Sequence, residues 1–148
     1  MTKFRSILLL VICTVMLLSC KKNNDKDQEI ADYIKANNIT AIKDETGLYY
    51  QIIKPGSGDY KYHTNTQITI KYEGKLLDGK VFDNGDGKEQ SFYLSSLIKA
   101  WQIGVPKIQK GGEIRLICPP NLGYGSQASG PIPANSVLDF KIELINVQ

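Results

Sequence analysis

The chain offers few side chains that could carry covalent chemistry: one histidine, three cysteines and a thin scatter of aromatic residues. Most reactive constellations fail on them. His63 stands in the polar run from Lys61 to Thr66, which reads as a solvated surface loop. No Gly-x-Ser-x-Gly elbow exists in the chain, so a Ser-His-Asp site lacks its scaffold. Gly74 to Val81 imitates a phosphate-binding loop, but Val81 stands where a hydroxyl would hold Mg²⁺. Asp83-Asn84-Gly85-Asp86-Gly87 lacks the alternating ligands and distal Glu of a calcium loop. No metal and no cofactor are expected. What remains is aromatic. Aromatic residues make up 9% of the chain, and Tyr72, Phe82, Trp101, Tyr124 and Phe140 stand singly where turns meet strands. That is how a chain lines one shared apolar pocket.

The elements that must position them can be read from the pattern. From Gly47 the punctuation is that of a β-rich domain. Leu48 to Ile53 is a strand candidate that ends at the turn Pro55-Gly56-Ser57-Gly58. Ile68, Ile70 and Tyr72 alternate with Thr69, Lys71 and Glu73, a half-buried strand. Asp78-Gly79 between apolar runs predicts a hairpin, with φ > 0 tolerated at both central positions. Asp83 to Lys88 reads as a loop and Phe92 to Leu94 as a short strand. Ser95 or Ser96 is placed to cap a helix beginning near Leu97. Ile98, Trp101 and Gln102 share its face, and Gly104 and Pro106 stop it. Glu113 to Cys118 is an apolar strand, in which Cys118 serves as a small core residue. After a long loop from Pro119 to Ala134, Leu138, Phe140, Ile142 and Leu144 alternate against Asp139, Lys141 and Glu143. The economical arrangement is α+β: a curved antiparallel sheet wrapped around one short helix.

The N-terminus reads differently. Lys3 and Arg5 precede an apolar run from Ile7 to Leu18, shorter than the roughly 20 residues of a membrane span and suited to a signal-peptide core. It ends in Leu17-Leu18-Ser19-Cys20, which resembles the lipobox of bacterial lipoproteins. That resemblance implies a signal peptide over 1–19, lipidation of Cys20, membrane attachment through that lipid, and a place in the cell envelope. Residues 20–28 read as lipidated cysteine and flexible tether. In 29–46, a short helix with Ile30, Tyr33 and Ile34 at helical spacing precedes a linker, and the main domain occupies 47–148. With 148 residues, one domain with a real core is expected. The chain has 18 basic and 15 acidic residues. Removing Lys3 and Arg5 with the signal leaves a nearly balanced chain, which gives no footprint for nucleic acid.

The order of motifs over residues 47–148 resembles the FKBP-type peptidyl-prolyl isomerases. The residues that carry it are Tyr72-Glu73-Gly74, Val81-Phe82-Asp83, Leu97-Ile98 with Trp101, Gly111-Gly112-Glu113, Leu122-Gly123-Tyr124-Gly125, Ile132-Pro133 and Phe140. The resemblance implies an apolar bowl with Trp101 as floor and Tyr72, Phe82 and Phe140 as walls. Leu97 and Ile98 would join the lining, with Tyr124 and Ile132 on the rim and Asp83 as the one buried carboxylate. The Ile98 N–H and the Tyr124 hydroxyl would bond substrate carbonyls. It further implies rotamase activity on proline-containing polypeptide clients, assistance to folding of envelope proteins, and macrolide immunosuppressants as ligands. The alternative is a non-catalytic module that holds a Pro segment in an envelope or motility/secretion complex. A purely structural lipoprotein would give no reason for an intact bowl. Among the departures from the family pattern, Gln90 stands two before Phe92 where an apolar residue is common, and is expected to leave one wall less hydrophobic.

Overall fold

The structure, a computed structural model, describes residues 25–148. The expected signal peptide over 1–19, Cys20 and the start of the tether lie outside the described residues. Helix α1 occupies residues 25–36, so the expected tether is helical over 25–28. Pairs one turn apart support it: Lys26 with Glu29 at 2.6 Å and Gln28 with Asp32 at 2.9 Å. It ends where Asn38 enters the left-handed region with φ of 52°, a conformation that asparagine tolerates at helix ends. Among the described residues no helix is long and apolar enough to cross a membrane.

Seven antiparallel strands follow: β1 Ile42–Lys43, β2 Tyr49–Lys54, β3 Gln67–Leu76, β4 Val81–Asp83, β5 Gln90–Tyr93, β6 Glu113–Cys118 and β7 Leu138–Val147. The sheet order is β1-β2-β6-β7-β3-β4, with β5 also on β3. Thus β4 and β5 divide one edge of β3. Strand β5 takes Gln67 to Ile70, β4 takes Gly74 and Lys75, and Lys71 to Glu73 pair with neither. The loop from Asn84 to Glu89 leaves the sheet at that gap.

The hairpin before β4 differs from its expected form. Its loop has three residues, closed by Leu76 N–H donating to Lys80 O at 2.9 Å, and only Gly79 takes positive φ, at 89°. Three-residue loops of this kind carry a bulge at the left-handed residue, and the register shifts separately beyond the Lys75–Val81 pair, between Gly74 and Lys75.

Strand alternation sorts the sheet into two faces. Ile68, Ile70, Ile114, Leu116, Ile142 and Leu144 are fully buried and pack with Ala100, Trp101 and Val105 in the main core. Helix α2, Lys99–Gly104, supplies two of these. It lies so close to β6 that a Cβ on Gly104 would stand 2.6 Å from a Leu116 methyl. The helix starts two residues later than expected. Ile98 is its N-cap and has no side-chain acceptor to cap it; Ser96 lies before that position, and its Oγ donates to Tyr93 O at 2.7 Å within the preceding 3₁₀ turn. Gln102 Nε2 ties the entry down by donating to Leu97 O at 2.6 Å.

Helix α1 covers part of the outer face. Ile30, Ile39, Ile117 and Val137 form a second buried cluster there, with Tyr33, Ile34, Tyr49 and Leu77 against it. Asp139 lies 1% exposed on this face. Arg115 grips it with two donors, Nε to Oδ1 at 2.9 Å and Nη2 to Oδ2 at 2.6 Å. Tyr33 OH donates to Oδ2 at 2.7 Å, and Lys75 Nζ stands 3.7 Å away.

Candidate active site

On the inner face, a cavity of about 320 Å³ opens between α2, β3, β4 and the loop after β6. Of the residues expected to bind substrate, Tyr72, Phe82, Leu97, Ile98, Trp101, Tyr124 and Phe140 line it, and so does Asp83, expected with Ile98 and Tyr124 to act in catalysis. Four of the rings form one edge-to-face chain. Tyr72 meets Trp101 with centroids 5.0 Å apart, Trp101 meets Phe140 at 5.3 Å, and Phe140 meets Phe82 at 5.6 Å. This is the preferred geometry for ring quadrupoles, and it fixes the walls relative to the floor. Gly74 makes the last contact feasible, since a Cβ there would stand 2.7 Å from both the Phe140 and the Phe82 rings.

Two expectations are corrected here. Ile132, expected on the rim, is 4% exposed within the main core and is not among the lining residues. Its loop folds back through the Ser129–Ile132 bridge. Asp83, expected to be the one buried carboxylate, is exposed at the end of edge strand β4. The buried carboxylate is Asp139, on the opposite face.

Two further lining residues, Phe92 and Ser96, were not anticipated. Phe92 pairs across the sheet with inward-facing Ile68, so its parity on the expected strand Phe92 to Leu94 carried the signal. Ser96 comes in through a 3₁₀ turn that has no distinctive sequence mark.

The polar groups at the mouth are few. Tyr72 OH donates to Asp83 Oδ2 at 2.7 Å, and Gly85 N–H donates to Oδ1 at 3.1 Å. Burial, then the bond to Asp83, hold the Tyr72 phenol well above its ordinary range. Burial, then the Asp83 charge, also raise the Tyr124 phenol. The phenol therefore stays protonated, and with Tyr124 41% exposed its hydroxyl can donate at the rim. Among the described residues the Ile98 N–H finds no protein acceptor, while its carbonyl receives Trp101 N–H at 3.0 Å. The Trp101 indole N–H is buried without a hydrogen-bond partner among the described residues.

This set can grip an apolar ring and offer donors to carbonyls. It holds no nucleophile with an adjacent base. Cys118 is fully buried, and burial pushes its thiol up to about 12, which keeps it from the reactive thiolate form. A larger depression of about 510 Å³ lies elsewhere, lined by Lys26, Asp27, Lys43 and the Pro119–Pro120 turn, with no aromatic side chain in its wall. Size alone therefore does not select the site; the clustering of aromatic rings does.

The family model described as FKBP-type peptidyl-prolyl cis-trans isomerase matches residues 58–145. The isomerase FkpA of Buchnera aphidicola subsp. Schizaphis graminum is 45% identical over 108 residues, covering 72% of this chain and 43% of that protein. FkpA of Escherichia coli K12 is 42% identical over 105 residues, covering 70% and 38%. The chain thus spans less than half the length of these two relatives. The crystal structure of Escherichia coli FkpA superposes with a TM-score of 0.74 at 31% identity, covering 99% of this chain and 70% of that one. A peptidyl-prolyl cis-trans isomerase from Pseudomonas syringae pv. tomato superposes at 0.70 with 28% identity, covering 82% and 92%. The fold, the motif order and these relatives agree, and the chain belongs to the FKBP-type peptidyl-prolyl cis-trans isomerase family.

Proposed function

We propose that this protein accelerates cis-trans rotation about X–Pro bonds in polypeptide clients, and does so in the cell envelope. The observation that carries the reading is the edge-to-face aromatic cavity with Trp101 and Phe140 at its centre. Rotation about a peptide bond must break amide resonance, with a barrier of about 18–20 kcal/mol. Uncatalysed X–Pro exchange takes roughly tens to hundreds of seconds. The step moves no proton and needs no nucleophile. The planar amide is strongly dipolar and its twisted form less so, so an apolar wall withdraws the stabilisation that water gives the planar form. Tyr72, Phe82, Trp101 and Phe140 grip the proline ring while the preceding carbonyl swings. Donors at the Ile98 N–H and the Tyr124 hydroxyl that fit the twisted form better than the planar one lower the barrier. Asp83 holds the Tyr72 hydroxyl and places a negative charge at the mouth.

A protease-coupled assay on a peptide with an apolar residue before proline tests this reading. The purified protein is expected to speed the cis-to-trans phase in proportion to its concentration. Folded protein with no such effect would favour the non-catalytic capture of a proline-containing segment.

The lipobox-like run to Cys20 supports lipid anchorage to a bacterial membrane. Cys20→Ala is expected to abolish lipid labelling and leave the precursor uncut. An acylated variant, or wild-type protein recovered without lipid, would refute the anchor.

A further inference from the structure

We propose that Gln90 is a positioning residue for the isomerase reaction: it fastens the loop that holds Asp83, and through Asp83 it orients Tyr72. The proposal rests on the isomerase reading above. It starts from the gap in the sheet. Lys71 to Glu73 of β3 have no partner on the β4/β5 edge, so sheet hydrogen bonds do not hold the loop that follows Asp83.

The loop keeps its own shape. Gly85, Asp86 and Gly87 take φ of 58°, 55° and 69°, left-handed values that glycine adopts freely and aspartate tolerates. Nothing in that local shape fixes the loop against the sheet. Asp83 itself is exposed, and an exposed carboxylate rotates freely unless something restrains it. The fastening comes from the first residue of β5, which pairs with Ile70 in the sheet.

Gln90 Nε2 donates to Gly85 O at 3.1 Å. The N–H of the same Gly85 donates to Asp83 Oδ1 at 3.1 Å, and Asp83 Oδ2 accepts the Tyr72 hydroxyl at 2.7 Å. Gly85 is packed between the two ends of this chain. A Cβ on it would lie 3.0 Å from Gln90 Cγ and 3.2 Å from Tyr72 Cε1. Lys88 N–H also reaches Gly85 O, at 3.0 Å, but that bond lies within the loop and moves with it. Lys71 Nζ of β3 also stands 3.9 Å from Glu89, but that pair is exposed and reaches only the loop's last residue; Gln90 ties the turn itself to the sheet. Its side chain is therefore not a polar flaw in the cavity wall, and Gln90 is not among the lining residues.

The test uses the protein as the cell makes it, purified in mild detergent. Gln90→Met removes the donor at nearly unchanged volume, and Gln90→Lys restores a donor of similar reach. Isomerisation kinetics are measured alongside the ¹H NMR signal of the Tyr72 hydroxyl, assigned by its loss in Tyr72→Phe. Gln90→Met is expected to lower kcat about threefold to tenfold, the worth of one net hydrogen bond, with KM little changed. The Tyr72 hydroxyl signal should shift or broaden, and Gln90→Lys should restore both readouts. If Gln90→Met fails to fold, Gln90→Glu has the same shape, lacks the donor and stands in for it. An unmoved Tyr72 signal in the donor-less variant overturns the proposal, as does a loss of rate that Gln90→Lys does not rescue. If wild-type protein proves inactive, the isomerase reading fails by itself. The Tyr72 signal then still decides whether Gln90 holds Asp83 in place.

Discussion

Asp139 and Phe140 are neighbours on β7 and look in opposite directions. Phe140 faces a cavity built of rings, where the one charged lining group, Asp83, sits at the exposed mouth. Asp139 faces a buried junction where Arg115, Tyr33 and Lys75 converge on one carboxylate. The inner face leaves apolar surface open for a guest. The outer face closes polar groups against one another and uses them to dock α1. An apolar wall loses little by standing open beside a mouth, because its rings need no partners. A buried charge must be matched on every side, and Asp139 is matched by three different elements. The same strand thus serves as a wall on one side and as a fastening on the other.

Phe140→Ala should separate the two faces with the largest effect. Emptying a core ring position costs about 3–5 kcal/mol of stability, read from denaturant unfolding. Losing the wall should weaken a proline-mimetic ligand by about 2 kcal/mol or more, read by calorimetry on the fraction shown by circular dichroism to be folded. Asp139→Ala comes next. It strands Arg115, whose side chain remains 22% exposed, so the cost is about 3 kcal/mol, at the low end for breaking a buried pair. The comparison predicts that ligand affinity per folded molecule is retained. An affinity loss as large as that of Phe140→Ala would mean that the two faces are not separable.

Tyr33→Phe is the gentlest of the three. It removes one hydrogen bond to Asp139 and should cost about 1 kcal/mol. It also has a pH signature. Burial, then the bond to Asp139, push the Tyr33 phenol up from 10.0 to about 12. A raised folded value means that the protonated form is the one the fold favours. Its contribution is complete below pH 10 and is lost as pH rises from there towards about 12. The difference in stability between wild type and Tyr33→Phe should therefore shrink across that alkaline window. A difference that stays constant through it would show that Tyr33 does not hold α1 by this bond.

Much of the inner face was legible because alternation and turn signals are local. Glu113 to Cys118 reads as a strand from its own residues, and Leu138 to Leu144 shows its inward parity directly. The helix under Trp101 announced itself by Gly104 and Pro106. Its start differs from the sequence pattern: Ser96 spends its hydroxyl on the turn before the helix. Strand β1 leaves no sequence signal because it rests on two cross-strand pairs, Ile42 with Tyr50 and Lys43 with Tyr49, too few to set a period. Asp139 stood correctly on the polar face of its strand, but nothing nearby tells that a helix more than a hundred residues earlier covers it. Ile132 was carried by motif position alone, and its loop turns it into the core. Gln90 reads as a defect in a wall from its sequence position alone, because the loop that it ties is fixed by a contact the strand pattern does not show.

The central claim is that the aromatic cavity on the inner face is where proline is held and turned. Trp101 is the sole tryptophan of the chain and lies at the centre of the ring chain, so its fluorescence reports that one place. The most direct measurement is a titration with a proline-mimetic macrolide that follows Trp101 emission and isomerase rate in the same samples. A saturable change in emission and a loss of rate with one shared midpoint are expected. Binding detected by calorimetry with emission unchanged, or full occupancy with the rate intact, would contradict it.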